Sequence, residues 1–284
     1  MTQAHSTAEE QAALWNGDAG RSWVAAQSVL DGMFQPIEDD LAGWVAEAEV
    51  RSVLDVGCGT GSTTIAMARR LGGGADCTGI DISEPMLAAA RSSAAQESVG
   101  AAFLCADAQS HPLPAGGYDA IVSRFGVMFF ADPVRAFANL RRASAPGAAL
   151  RMFAWRSPAD NPFMTTAERA AAPLLPEMPA RDPDAPGQFA FADRNRILSI
   201  LEQSGWTAGD VRPFDFDCAL PEARLEEYFT RFGPIARYLR GIEGAALAEI
   251  VATVRAAFEP YVRGEDVRFT AACWLISARA PGAV

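Results

Sequence analysis

Val53-Leu54-Asp55-Val56-Gly57-Cys58-Gly59-Thr60-Gly61 decides the fold of this chain, and Asp81 follows twenty residues after its last glycine. The apolar run from Ser52 to Val56 reads as a buried strand, the three alternating glycines as a turn, and Ser62 to Leu71 as a helix. Glycine is required where the backbone takes unusual dihedrals or lets a ligand lie against it. A carboxylate ending the next strand suits the paired hydroxyls of a ribose. The stretch therefore points to a nucleoside-bearing cofactor. The plainer alternative is a loop that only joins a strand to a helix.

The spacing narrows the cofactor. A nicotinamide dinucleotide asks for G-x-G-x-x-G/A, with the last small residue allowing close helix–strand packing and the helix N-terminus meeting a pyrophosphate. Here the glycines fall at 57, 59 and 61, and the position reserved for Gly or Ala is Ser62. Asp55 is badly placed for a pyrophosphate and well placed for an ammonium group. The pattern favours a cofactor with an amino-acid end and no phosphate, and argues against a nicotinamide oxidoreductase.

Asp55-Val-Gly-Cys-Gly-Thr-Gly61 resembles motif I of the class I S-adenosylmethionine-dependent methyltransferases. Further stretches resemble that family in order. Gly79-Ile80-Asp81-Ile82-Ser83 is similar to its ribose-binding strand end, and Cys105-Ala106-Asp107-Ala108 to its adenine-binding one. Tyr118 to Ser123 is similar to its fourth strand, and Leu140-Arg141-Arg142 with Pro146-Gly147-Ala148 to the approach to its fifth. The resemblance covers about residues 50–153 and is nearest to the small-molecule group that includes ubiquinone/menaquinone-biosynthesis enzymes. It implies a Rossmann-like α/β fold: a seven-stranded, mostly parallel sheet whose last strand is antiparallel, with helices on both faces.

Composition sets outer bounds. The length suits one α/β domain with additions. No stretch approaches the roughly 18 apolar residues of a membrane span, and Met1–Glu10 lacks the basic and apolar regions of a secretory signal. The five cysteines form no C-x-x-C pair and no H-x-x-x-H occurs, which argues for free thiols in a cytoplasmic setting and against a metal. Net charge is −11, which disfavours nucleic acid as a partner. All 24 basic residues are arginine, so Schiff-base chemistry and a lysine general base are excluded. Residues 123–130 lack the Asn/Asp-Pro-Pro-Tyr signature of methylases acting on the exocyclic amines of bases.

Along the chain, helices are expected at 7–16, 19–30 and 33–48, broken near Gly17–Gly20 and at Gly32. Strands follow near 52–56, 76–81, 101–105, 118–122 and 148–154, with helices near 62–71, 84–95 and 133–143. That alternation means a parallel sheet. Asp193 can cap a helix running to Ser204, and strands are expected at 208–218 and 267–279. The expected organisation is a helical lid (1–48) and a core (49–155, 193–220 and 264–284). Two substrate-cap insertions complete it: a proline-rich one (156–192, with a loop at Asp184–Gly187) and a helical one (221–263).

The resemblance implies roles at the strand ends. Gly57, Cys58 and Gly59 would place backbone against the methionine part, with Asp55 near its ammonium. Asp81, followed by Ile82, would accept the ribose hydroxyls, and Asp107 with the Ala108 N–H would meet the adenine. Ser123 and Arg124 would face the methyl group or the substrate. Each aspartate also has a humbler reading, as a helix cap or an Asx turn. His5 falls in the N-terminal tail and His111 in a polar loop. Cys58, Cys77 and Cys105 read as packing residues.

Substrate choice is expected outside the core. Trp15-Asn-Gly-Asp-Ala-Gly-Arg-Ser-Trp23 with Gln27 resembles the lid of related enzymes, with Trp23 and Arg21 over the cofactor; simple helix packing is the alternative. Arg124, Trp155 and Asn161 are candidate catalytic residues. Phe125, Phe129, Phe130, Phe189, Phe191, Tyr228, Phe229, Phe232 and Tyr238 could line an apolar cavity or form cap core. The expected activity is methyl transfer from S-adenosylmethionine to a small, partly apolar metabolite. A non-catalytic module binding the same cofactor is the alternative.

Overall fold

Ser52–Val56 (β1) forms the strand the apolar run predicts, with residues 53–56 all buried. The computed structural model describes residues 7–282 apart from 177, 179–181, 183, 184 and 234, so His5 and Asp184 lie outside the described residues. Two helices precede β1, α1 (Ala8–Asn16) and α2 (Asp18–Glu47). After it come α3 (Ser62–Leu71), β2 (Asp76–Asp81), α4 (Glu84–Gln96), β3 (Ala102–Cys105), β4 (Tyr118–Arg124), α5 (Pro133–Ala143) and β5 (Ser144–Trp155). The second half adds α6 (Pro162–Ala171), α7 (Arg194–Gln203), β6 (Thr207–Pro221), the short turn α8 (Leu225–Glu227), α9 (Gly244–Ala257), β7 (Val262–Arg263) and β8 (Asp266–Arg279).

The sheet order is β3-β2-β1-β4-β5-β8-β6, parallel through β5, with β8 antiparallel between β5 and β6. This is the Rossmann-like arrangement expected, with one addition: the two-residue β7 folds back on β8 as an eighth strand. The chain runs outward from β1 through β2 to β3, then returns to β4 on the other side of β1. Ligands of open α/β sheets bind at such a reversal, beyond the carboxyl ends of the strands.

At that point two loops touch backbone to backbone. Gly57 has φ +67°, and a Cβ there would lie 2.6 Å from Gly126 Cα. A Cβ on Gly126 would lie 2.5 Å from the Val56 carbonyl oxygen and 2.7 Å from Gly57 Cα. Ser123 joins the two strands: its hydroxyl donates to the Val56 carbonyl (2.7 Å) and accepts from the Gly126 N–H (3.1 Å). Between them Phe125 takes φ +66°, a left-handed conformation costing an L-residue about 1–2 kcal/mol. Its ring stacks on Trp155 (centroids 4.4 Å, 5° apart) and meets Phe34 edge-on, contacts that offset the strain.

The expected break at Gly32 does not occur, and α2 runs unbroken for 30 residues through Gly32 and Pro36. Glycine and proline weaken a helix. Here Ala26, Leu30, Met33, Phe34, Ile37, Leu41 and Val45 form a buried stripe at helical spacing, and tertiary packing overrides the local preference. Two ion pairs fasten the same helix to the sheet. Arg151 of β5 grips Asp40 in two 2.7 Å contacts, and Arg124 of β4 reaches Asp31 at 3.1 Å.

Gly57→Ala is expected to destabilise the chain by at least about 3 kcal/mol, since strain and a backbone clash combine. Gly59→Ala carries similar backbone strain (φ +56°) but should cost less, because its close contact would be the end of the Met86 side chain (Cε at 2.8 Å) and not backbone. Urea denaturation checks the order; equal losses would contradict the backbone contact.

Candidate active site

One cavity opens at the strand reversal, walled by the loops after β1, β2, β3 and β4 and roofed by α1 and the start of α2. Asp55, Gly57, Cys58, Gly59, Asp81, Ile82, Asp107, Ala108, Arg124 and Trp23 all line it. The glycine loop is held by its neighbours: the Gly57 N–H donates to the Ile80 carbonyl (2.8 Å) and the Gly59 N–H to Asp81 Oδ2 (2.8 Å).

The three aspartates differ in what they already hold. Asp81 accepts the Gly59 and Ser83 N–H groups, the latter at 2.9 Å, so it ties the loop and caps the next turn; burial raises its carboxyl pKa, against these bonds. Asp107 forms an Asx turn, accepting from the Gln109 N–H and the Ser110 hydroxyl (both 2.9 Å). Asp55 caps nothing. Its Oδ2 accepts from the Thr64 hydroxyl (2.7 Å), while Oδ1 is buried without a partner. Burial pushes the Asp55 carboxyl up to about 6, opposed by the Thr64 bond. Burial also pushes the Cys58 thiol well up, so it stays protonated and packs.

The roof is tied to the β2–α4 loop by residues that sequence reasoning passed over. The Asn16 amide donates to the Ile82 carbonyl (2.8 Å) and accepts from the Glu84 N–H (3.1 Å), and the Ser83 hydroxyl donates to the Trp15 carbonyl (2.7 Å). Trp15 meets Phe129 edge-on at 5.0 Å and Trp23 at 6.1 Å. Ala8, Gln11 and Ala12 of α1, with Thr63, Met86, Gln109 and Gly126, also line the cavity. Gln11 is the one buried residue of α1, and nothing in the local sequence pattern marks it for the cavity.

Other expected residues lie elsewhere. Arg21 is exposed, pairs with Asp18 at 2.5 Å and borders a separate shallow groove with Arg231 and Arg240. Ser123 is spent on the strand staple, and Trp155 on the Phe125 stack. Asn161 is buried and exchanges two 2.9 Å hydrogen bonds with the Ala272 backbone, which locks α6 to β8. Gln27 does not line the cavity, nor does any described residue of 156–192 or 221–263. Phe189 and Phe191 are core, with Phe191 against Phe137; Tyr228 and Phe229 join Phe163 and Phe258 in a second aromatic cluster. Tyr238 carries the Arg237 guanidinium, and the Phe232 side chain is outside those described. The described aromatics of the insertions therefore pack into core, Phe191 against Phe137 of α5 and Phe163 against Phe269 of β8.

Residues 53–147 match the family described as "Methyltransferase domain". A demethylmenaquinone methyltransferase of Thermus thermophilus is 36% identical over 117 residues, 41% of this chain and 53% of the relative. Nocamycin O-methyltransferase of Saccharothrix syringae is 32% identical over 114 residues, 40% of this chain and 41% of the relative. The chain thus spans about half the length of these relatives or less. A ubiquinone/menaquinone biosynthesis C-methyltransferase of Burkholderia vietnamiensis is 27% identical over 58% of this chain and 72% of its own. Among solved structures, a putative methyltransferase of Bacillus halodurans shares the fold (TM-score 0.55, 16% identity, 85% of this chain and 99% of that one). So does the [4+2]-cyclase SpnF (TM-score 0.54, 21% identity, 93% and 95%). The chain shares the Rossmann-like fold of these structures, and residues 53–147 carry the match to the methyltransferase-domain family.

A buried carboxyl with a raised pKa holds its proton more tightly in the folded chain than in the unfolded one. Its contribution is therefore greatest below the unfolded value near 3.8 and is lost as pH rises to about 6. Asp55→Asn removes that penalty. The variant without ligand should gain on the parent between pH 4 and pH 6.5, the gap growing by about 3 kcal/mol by pH 7. Thermal denaturation across pH checks this; a gap that does not grow with pH contradicts it.

Proposed function

We propose that this chain transfers a methyl group from S-adenosylmethionine to a small, partly apolar metabolite. The observation carrying the reading is that the ends of β1, β2 and β3 each bring an aspartate to one cavity, and Asp55 does so with a buried, unpartnered oxygen. An unmade buried acceptor is costly, and an ammonium group satisfies it. Asp81 keeps lone pairs for ribose hydroxyls beside its two N–H bonds, and Asp107 with Ala108 offers the acceptor and donor that suit an adenine edge.

When bound, S-adenosylmethionine supplies a methyl group already activated by its sulfonium. The protein then has to position and exclude water. Gly57 and Gly59 let the ligand approach the backbone, and Trp15, Trp23, Phe125 and Phe129 give apolar walls suited to a partly apolar acceptor. α1, tied down through Asn16 and Ser83, covers one side of the cavity. The net charge of −11 fits a small molecule better than nucleic acid. The free cysteines suit the reducing cytoplasm, and among the described residues no helix is long and apolar enough to cross a membrane.

Calorimetry should show S-adenosylmethionine binding, and a metabolite panel should yield S-adenosylhomocysteine with a methylated product. Asp81→Ala should weaken cofactor binding by roughly 1–3 kcal/mol. Unchanged affinity in a folded Asp81→Ala protein contradicts the site, and binding without turnover across the panel contradicts the reaction.

A further inference from the structure

We propose that the groove between the start of α2 and the second insertion is a binding site for the phosphate group of a soluble metabolite, separate from the cavity at the strand ends. Its polar lining comes from two walls: Asp18, Arg21 and Ser22 of α2, and Thr230, Arg231 and Arg240 of the insertion. None of these residues lines the strand-end cavity.

Helical spacing sets the first wall. Positions 18, 21, 22 and 25 fall at i, i+3, i+4 and i+7 and share one face of α2, while Trp23 lines the other cavity. The second wall depends on a widened turn. Tyr228–Phe232 is π-wound, with the Gly233 N–H donating to the Tyr228 carbonyl five residues back (2.7 Å). The Thr230 hydroxyl donates to the Glu226 carbonyl (2.7 Å), which holds the turn that carries Arg231 to the groove. Turns of this kind are rare and recur at functional sites. The groove holds about 400 Å³, room for a small metabolite.

Charge decides the class of ligand. Three guanidiniums and one carboxylate line the groove, a local balance of +2 on a chain whose net charge is −11. Asp18 takes Arg21 on one oxygen (2.5 Å) and Arg240 on the other (2.6 Å). The Arg21 hydrogen bond and the nearby Arg240 charge hold the Asp18 carboxyl below its usual range, so it stays ionised and offsets one of the three cations. Arg231 is the least engaged. Its side chain is 73% exposed and meets Glu227 only at 3.8 Å, and Glu227 lies closer to Arg224 (2.6 Å). A guanidinium carries five donors in a planar fork that fits phosphate oxygens, so one carboxylate leaves most of them open. A dianionic phosphomonoester matches the surplus, whereas a monoanionic carboxylate leaves half of it unbalanced. The field of these arginines reaches about 10 Å at 0.1 M salt. A groove-sized anion therefore feels them, while an anionic bilayer or a nucleic acid would also meet the negative charge of the rest of the chain.

The test is calorimetric titration of the intact chain with inorganic phosphate at low ionic strength, with acetate as the monoanionic comparison. Phosphate should saturate one site and bind at least about tenfold more tightly than acetate, the scale of one charge-assisted hydrogen bond. Arg231→Gln should weaken phosphate by about fivefold or more, and Asp18→Asn, which removes the competing carboxylate, should strengthen it by about threefold. Arg231→Gln should leave S-adenosylmethionine affinity unchanged, so the outcome does not depend on the cofactor reading. Unsaturable phosphate binding, acetate binding equally well, parent-like phosphate affinity in Arg231→Gln or weaker phosphate binding in Asp18→Asn overturns the site. Capture of the chain by phosphatidic acid vesicles without binding of free phosphate also overturns it.

Discussion

The contact between Gly57 and Gly126 is the constraint on which the rest of the site depends. Two loops leaving adjacent parallel strands meet with no side chain between them, and a Cβ on either glycine would strike backbone. Ser123 fixes the spacing with hydrogen bonds to both loops, and the Phe125–Trp155 stack holds the left-handed residue that turns the second loop inward. Because the loops cannot spread, the end of β1 and the end of β4 face one small cavity. Asp55 and Arg124, which sit 69 positions apart in the chain, become opposite charges on its lining.

The charged groups of this cavity divide by whether the protein itself satisfies them. Asp81 and Asp107 are hydrogen-bonded by loop backbone or side chains and help shape the turns they sit in. Asp55 and Arg124 are each held by one side and left open on the other. In an enclosure walled by Trp15, Trp23, Phe125 and Phe129, such open groups interact strongly with a complementary charge, because little water screens them. The same burial that raises the Asp55 pKa leaves its carboxylate poorly screened when it is charged.

The two N-terminal helices are fastened differently. α2 buries a long apolar stripe and is pinned to β4 and β5 by ion pairs. α1 has one buried residue and is held chiefly by the Asn16 and Ser83 hydrogen bonds to the β2–α4 loop. Elements with few buried contacts open at lower free energy than packed ones. The roof of the cavity is therefore its least firmly held wall, and the helix behind it is among the firmest.

Local patterns were sufficient for most of the fold. The strand–turn–helix rhythm from Ser52 to Trp155 is legible because apolar runs, glycines with positive φ and caps such as Asp132 and Asp193 act over a few residues. The ordered aspartates at 55, 81 and 107 were legible for the same reason: each lies within two residues of the end of a strand of a regular parallel repeat. Three features needed tertiary structure. The continuity of α2 through Gly32 and Pro36 depends on a stripe buried against the rest of the fold, which outweighs local propensity. The fates of Trp155 and Asn161 depend on partners (Phe125 and Ala272) found only in three dimensions. The aromatics of the insertions settle into core beyond the cavity, because apolar burial is non-directional and residue type cannot say which apolar surface is nearest. Sequence alone determined which strand ends carry charge; the packing of loops and helices decided which of those charges remain open to a ligand.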